Sequence, residues 1–163
     1  MTPARFTDAP GPTRKTVPRP VDDPVSAADG CRRVLIVDDY PDSAASAAML
    51  LSLFGYECQI ANNGRDALEL AMTFDPDIVL LDIGLPDISG YDVARALRAR
   101  QTHPIFLAAV TGWGQTQDRV RAFAAGFDLH VLKPTNAATI QLILQRAIAY
   151  FEGIRSVDLD PQA

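Results

Sequence analysis

Three short apolar runs constrain this chain most, because each stops on a group that carries charge or a hydroxyl. Val34-Leu35-Ile36-Val37 runs into Asp38-Asp39, Ile78-Val79-Leu80-Leu81 into Asp82, and Ile105 to Val110 into Thr111. Short apolar runs rich in β-branched side chains predict strands covered on both faces. Two further candidates differ. Tyr56-Glu57-Cys58-Gln59-Ile60 alternates, and Leu129-His130-Val131-Leu132 is only partly continuous, which suits strands at a sheet edge.

Helical stripes separate these runs. Ala47, Leu50, Leu51 and Phe54 form the first, closed by Gly55, and Ala67, Leu68, Ala71 and Met72 the second. Val93 and Leu97 lie on a third, which opens at Ser89 with Asp92 at the reciprocal capping position. Val120, Phe123 and Ala124 form the fourth, closed by Gly126. Ile140, Ile143, Leu144, Ala147, Ile148 and Phe151 make the clearest amphipathic pattern, with Gly153 expected to end it. All five stripes are expected to face the core. Strict alternation of strand and helix predicts parallel strands with helices on both faces. With the most apolar runs central, the expected fold is an α/β, flavodoxin-like (βα)5 three-layer sandwich with strand order 2-1-3-4-5.

An open sheet of this kind places its ligand site at the carboxyl ends of its strands. Asp38 and Asp39 end the first strand, Asp82 the third, Thr111 the fourth and Lys133 the fifth. Three carboxylates in one crevice repel one another unless a cation neutralises them. Mg²⁺, which takes oxygen ligands and keeps room for a phosphate oxygen, fits that need. A carboxylate can also attack phosphorus itself, and phosphoryl transfer then asks mainly for alignment and charge neutralisation. Lys133 supplies a point charge and Thr111 a hydroxyl. Only two lysines occur, Lys15 and Lys133, in a chain that otherwise uses arginine. Asp42 and Asp87 read as turn or cap residues, and His103 as a loop residue.

Composition acts by exclusion. With 15 basic and 20 acidic residues the net charge is −5, which argues against a polyanion-coating protein and against direct nucleic-acid contact. No apolar run approaches the ~18 residues of a membrane span, and no secretory leader is visible. Cys31 and Cys58 are too few for a zinc site or a disulfide framework and read as free thiols of a cytoplasmic protein. Residues 1–30 hold six of the twelve prolines and mixed charge, and are expected to form a disordered tail. The folded domain is then expected over residues 31–152, with a short C-terminal tail over 153–163.

The motifs VLIVDDYPD, VLLDIGLPDISGYDVARALR, AAVTGWGQ and HVLKP occur in this order between Arg32 and Phe151. In them the chain resembles the receiver domain of two-component response regulators. TGWGQ and AGF are similar to receivers associated with hybrid sensor kinases. The resemblance implies Asp82 as phosphoacceptor and Asp38, Asp39 and Asp82 as the acidic metal site, with Gly84 lending its backbone carbonyl. Asp39 and Asp82 would contact Mg²⁺ directly, with Asp38 as an outer acid. It further implies Thr111 as switch hydroxyl, Lys133 as phosphoryl-binding lysine and a cis bond before Pro134. His130 stands at a switch position that is often Tyr or Phe. Gly84 and Trp113 depart from the best-known single-domain receivers at positions that line access to the phosphoryl group.

The implied function is that of a non-enzymatic, single-domain response regulator. Its donor would be a sensor histidine kinase, hybrid or simple, or a histidine phosphotransfer protein. Output would pass through contacts with a downstream protein or a second copy of the chain, without a DNA-binding output domain. A dehalogenase-like phosphohydrolase would need a second Asp where Gly84 stands. A flavodoxin would need a Ser/Thr-rich first loop where Asp38-Asp39 stands. A degenerate receiver acting only as an adaptor would not need all these groups.

Overall fold

The computed structural model describes residues 33–158 apart from Trp113. The segment 1–30, Cys31, Trp113 and the chain after Asp158 lie outside the described residues. Five strands alternate with five helices: β1 (Arg33–Val37), α1 (Pro41–Leu53), β2 (Glu57–Ala61), α2 (Gly64–Phe74), β3 (Ile78–Asp82), α3 (Gly90–Arg100), β4 (Phe106–Thr111), α4 (Thr116–Ala125), β5 (Leu129–Leu132) and α5 (Ala137–Asp158). The strands form one parallel sheet of order β2-β1-β3-β4-β5, as the apolar pattern predicts. β3 and β4 are buried throughout and β1 nearly so, whereas β2 and β5 are partly exposed edges.

Alternation of side chains along each strand divides the interior into two layers. Val34, Ile36, Ile78, Leu80, Phe106, Ala108 and Val110 pack beneath α1 and α5. Leu35, Val37, Val79, Leu81, Leu107 and Ala109 pack beneath α2, α3 and α4. Small residues bring the helices close, as where Ala44 and Ala47 of α1 are buried beside Leu51. Gly55 and Gly126 follow α1 and α4 with φ of +86° and +105°, the left-handed stop the sequence predicts there.

Four details depart from the sequence reading. The expected inward stripe of α4 faces water: Val120 is 64% and Phe123 47% exposed, while Ala122 and Ala125 are buried. Rotation of this helix is set by neighbours, because the Arg121 guanidinium lies 4.6 Å from the centre of the buried Tyr91 ring on α3. Met72 of α2 is 73% exposed, and Phe74 takes the buried place instead. At α3, the Ser89 hydroxyl accepts from Tyr91 N at 3.2 Å, and the Asp92 carboxylate pairs with Arg95 at 2.7 Å, so the reciprocal capping box does not form. Finally, α5 continues through Gly153 to Asp158, so a C-terminal tail starting at 153 is too early.

Candidate phosphoryl and metal site

The carboxyl edge of the sheet gathers the acids that the sequence places at strand ends. Asp38 follows β1 and is buried, Asp82 is the last residue of β3 and is also buried, and Asp39 is exposed. One carboxylate oxygen from each lies within 4.8 Å of the others. Lys133, the residue after β5, reaches into the cluster, its Nζ donating to Asp82 Oδ2 at 2.9 Å and standing 3.1 Å from Asp38 Oδ2. Partial burial by itself would lower the pKa of this ammonium, but the hydrogen bonds and charges of Asp82 and then Asp38 outweigh burial and hold it above its ordinary value. It therefore stays charged throughout the neutral range.

Backbone groups complete the cradle. Gly84 N donates to Asp82 Oδ1 at 3.0 Å, and Tyr40 N donates to Asp38 Oδ1 at 2.9 Å. Three carboxylates with one lysine leave net negative charge, and the donor set is all hard oxygen, which fits a divalent cation of the Mg²⁺ type. A narrow crevice beside the cluster is lined by Asp38, Ser43, Asp82, Val110 and Thr135. Ser43 and Thr135 carried no signal in the sequence, since each follows its strand by several residues.

The remaining candidates sit around this centre. Thr111 ends β4 and is buried, one residue beyond Val110, the register partner of Asp82. Its carbonyl accepts from Lys133 N at 2.8 Å, which ties the threonine to the lysine through the backbone. The Lys133–Pro134 bond is cis. His130 does not join the cluster. It pairs in register with Ala109 on the layer beneath α4, and its Nε2 is buried without a hydrogen-bond partner among the described residues.

Burial, followed by the charge of Arg119, lowers the pKa of His130 against the opposing pull of Asp118. The folded protein then binds fewer protons here than the unfolded chain, so this group costs stability as pH falls through the range of an ordinary histidine. Acidification from pH 7 to 5 is expected to lower Tm more in the wild-type protein than in His130→Phe. Parallel Tm–pH profiles of the two proteins would remove His130 from that dependence.

Other predicted residues have structural roles. Asp87 is a cap, as its sequence position suggests, but for a helix other than its own: it accepts from Gly64 N at 2.8 Å and Arg65 N at 2.9 Å at the start of α2. The Gly64 amide, foremost, and the amides of Arg65, Ile88 and Asp87 itself hold its carboxyl down at about 2, against a smaller desolvation effect. Asp42 lies in the first turn of α1, where its charge suits the helix dipole. His103 sits in the α3–β4 loop, with Nδ1 3.2 Å from Asp75 Oδ1 and Nε2 3.2 Å from Pro76 O. Cys58 is a free thiol whose pKa burial pushes up to about 11, so it is poorly nucleophilic at neutral pH. No helix among the described residues is long and apolar enough to cross a membrane.

Comparison with known proteins agrees with this geometry. The response regulator receiver domain model matches residues 34–145. Regulatory protein AtoC of Escherichia coli (strain K12) is 35% identical over 117 residues, covering 71% of this chain and 25% of AtoC. The probable transcriptional regulatory protein TcrX of Mycobacterium tuberculosis is 36% identical over 130 residues, covering 79% of this chain and 54% of TcrX. The chain thus spans between a quarter and about half the length of these curated relatives. Among solved structures, the chemotaxis response regulator CheY4 of Vibrio cholerae superposes with a TM-score of 0.67 at 27% identity, covering 72% of this chain and 98% of CheY4. A CheY-like receiver domain from Methylobacillus flagellatus superposes with a TM-score of 0.63 at 31% identity, covering 72% of this chain and 98% of that domain. Acids and lysine gathered at the carboxyl edge of a 2-1-3-4-5 sheet, together with these matches, show that the chain belongs to the response regulator receiver family of two-component signalling.

Proposed function

We propose that Asp82 accepts a phosphoryl group from a phosphohistidine of a sensor histidine kinase, hybrid or simple, or of a phosphotransfer protein, and later loses it to water. The observation that carries this reading is the 2.9 Å contact of Lys133 Nζ with Asp82 Oδ2 inside the three-acid cluster. In the transfer, an Asp82 oxygen bonds to phosphorus as the P–N bond breaks, and the electron pair leaves with the imidazole. In hydrolysis, the oxygen of water bonds to phosphorus, the O–P bond to Asp82 breaks, and the carboxylate is restored as inorganic phosphate departs.

Asp39 and Asp82 would hold Mg²⁺ together with the Gly84 carbonyl, with Asp38 as the outer acid; the ion would supply positive charge to the transferring oxygens. Lys133 faces the same oxygens, and Thr111 offers its hydroxyl once the phosphoryl group is in place. Gly84 provides no side-chain acid or base, which argues against a turnover phosphohydrolase. The reading goes with a cytoplasmic protein. Incubation with acetyl phosphate and Mg²⁺ should add one phosphoryl mass that hydroxylamine removes. A chain that stays unmodified while Mg²⁺ binds would overturn the reading.

Output is proposed to pass through protein contacts on the face formed by α4, β5 and α5, where Val120, Phe123 and Leu132 are exposed. The net charge of −5 favours a downstream protein or a second copy of the chain over nucleic acid there. A new oxyanion on Asp82 would draw the Thr111 hydroxyl toward it, since a charge-assisted hydrogen bond is the stronger one. The His130 ring, whose Nε2 has no hydrogen-bond partner among the described residues, would fill the space vacated. Phosphorylated Thr111→Ala and His130→Ala proteins are therefore expected to lose most of the phosphorylation-dependent gain in partner affinity. Binding equal to wild type at equal phosphorylation would show that the signal leaves by another face.

A further inference from the structure

The loop between β2 and α2 touches both arms of the acidic cluster, although it contributes no acid to it. At one end, Asn62 Nδ2 donates to the Asp38 carbonyl at 3.0 Å, and Asp38 N donates to the Ala61 carbonyl at 3.1 Å. The backbone that carries Asp38 and Asp39 is thus held to the end of β2. At the other end, Gly64 N and Arg65 N donate to the two carboxylate oxygens of Asp87 at 2.8 and 2.9 Å. Asp87 belongs to the β3–α3 loop, which begins right after Asp82 and includes Gly84.

That second loop has little freedom of its own. Gly90 N donates to the Ile83 carbonyl at 3.0 Å and Gly84 N to Asp82 Oδ1 at 3.0 Å. A Cβ at Gly90 would run into the Asp82 carbonyl, and one at Gly64 into the Ile88 side chain, so the two loops and the strand end are packed flush. The β2–α2 loop is itself anchored by Asn63, which accepts from Asp66 N at 2.8 Å and donates to Asp66 Oδ2 at 2.7 Å. A continuous strap therefore runs from Asp38 through Asn62, Asn63 and Gly64 to Asp87 and back to Gly84 and Asp82.

We propose that Asn62 and Asp87 are positioning residues for the divalent cation, fixing the distance between the Asp38–Asp39 arm and the Asp82–Gly84 arm. This inference rests on the metal-site reading above. β1 and β3 pair directly, Val37 opposite Leu81, so the ladder sets the two strand ends side by side. The loops beyond them, which carry Asp39 and Gly84, are what the strap holds at the ångström scale that Mg²⁺ demands. Polar groups behind metal ligands commonly do this, and their loss weakens metal binding without removing a ligand. Asp87 suits the task because the Gly64 and Arg65 amides each donate to one of its two carboxylate oxygens.

The test is calorimetric titration of the full chain with Mg²⁺ alone, alongside acetyl phosphate uptake measured over a range of Mg²⁺. Asn62→Ala and Asp87→Ala are each expected to weaken Mg²⁺ binding about tenfold, with Asp87→Asn, which retains one acceptor oxygen, falling between them and wild type. Uptake at saturating Mg²⁺ should return close to the wild-type rate, since every group that touches the phosphoryl remains. Arg98→Ala serves as the control for lost stability, because Arg98 lies away from the strap. Wild-type Mg²⁺ affinity in folded Asp87→Asn and Asn62→Ala proteins would overturn the inference. So would an equal loss in Arg98→Ala, which would reduce the strap to general stability. If the wild-type chain binds no Mg²⁺, or binds it as well after Asp39→Ala, the metal-site reading fails and takes this inference with it.

Discussion

Asp82→Asn is expected to abolish phosphoryl uptake from acetyl phosphate, leaving no hydroxylamine-labile mass. The substitution keeps the shape of the side chain and removes the anionic oxygen that would attack phosphorus. A neutral amide is not a competent nucleophile toward phosphorus, and no other acid in the cluster stands in its place. Asp38 accepts from Tyr40 N and is turned toward Lys133, and Asp39 is exposed beyond the crevice. The variant should still fold, because Lys133 retains Asp38 at 3.1 Å as its counter-ion. Circular dichroism and a melting curve close to wild type would separate loss of the nucleophile from loss of the fold. Uptake by the folded Asp82→Asn protein would assign phosphorylation to another residue.

The largest effect on stability is expected at Arg98, far from the chemistry. Its guanidinium donates to the Gly126 carbonyl at 2.9 Å, the Ile105 carbonyl at 2.7 Å, Gln101 Oε1 at 3.0 Å and Asp128 Oδ2 at 2.6 Å. These acceptors lie on four segments: the end of α3, the start of β4, the end of α4 and the approach to β5. Asp128 Oδ2 also accepts from Leu107 N at 2.9 Å, so one carboxylate and one guanidinium close the lower corner of the sheet. Arg98 and Asp128 are 22% and 24% exposed, enough to discount the value of a fully buried pair but too little to leave the partners fully hydrated. Arg98→Ala strips Asp128 of its counter-ion and leaves two carbonyls short of a donor, at an expected cost of about 2–4 kcal/mol. For a domain of this size that is a fall in Tm on the order of 10 °C. Arg98→Lys should recover little of it, since an ammonium cannot reproduce the forked geometry. A loss below about 0.5 kcal/mol would place Arg98 among ordinary surface arginines.

Arg98 also shows where reading along the chain stops. In the sequence it is one charge on the polar side of a helical stripe, with nothing to mark it apart from Arg95 or Arg100. Its partners Ile105, Gly126 and Asp128 become neighbours only when β4 and β5 pair and α4 ends beside α3. The same holds for Asp87. Its cap role is legible from its place in a Pro-Asp turn, but the helix it caps begins 23 residues earlier in the chain. An Asn-Asn-Gly run after β2 was the available hint, since such residues mark helix starts and turns.

The error at α4 has a related cause. Val120, Phe123 and Ala124 recur at helical spacing, and periodicity alone equates an apolar stripe with a buried one. The helix instead packs through Ala122 and Ala125, residues too small to register as a stripe, with Arg121 lying over Tyr91. Hydrophobic spacing reports that a helix has an apolar face; it cannot tell a core face from one left for a partner.

What the amino-acid sequence determined by itself is the set of elements, their parallel order and the edge that gathers the acids. Those follow from local rules: β-branched apolar runs make buried strands, strict alternation makes right-handed crossovers, and a parallel sheet leaves its carboxyl ends open in a crevice. Asp38, Asp39, Asp82, Thr111 and Lys133 needed only to stand at the carboxyl ends of their strands to be placed along that edge. Tertiary structure alone decided the rotation of α4, the junction built on Arg98 and the strap from Asp38 to Asp82. Each of these depends on side chains and backbone groups distant in sequence, whose hydrogen bonds and packing exist only once the sheet is assembled, so no local propensity encodes them.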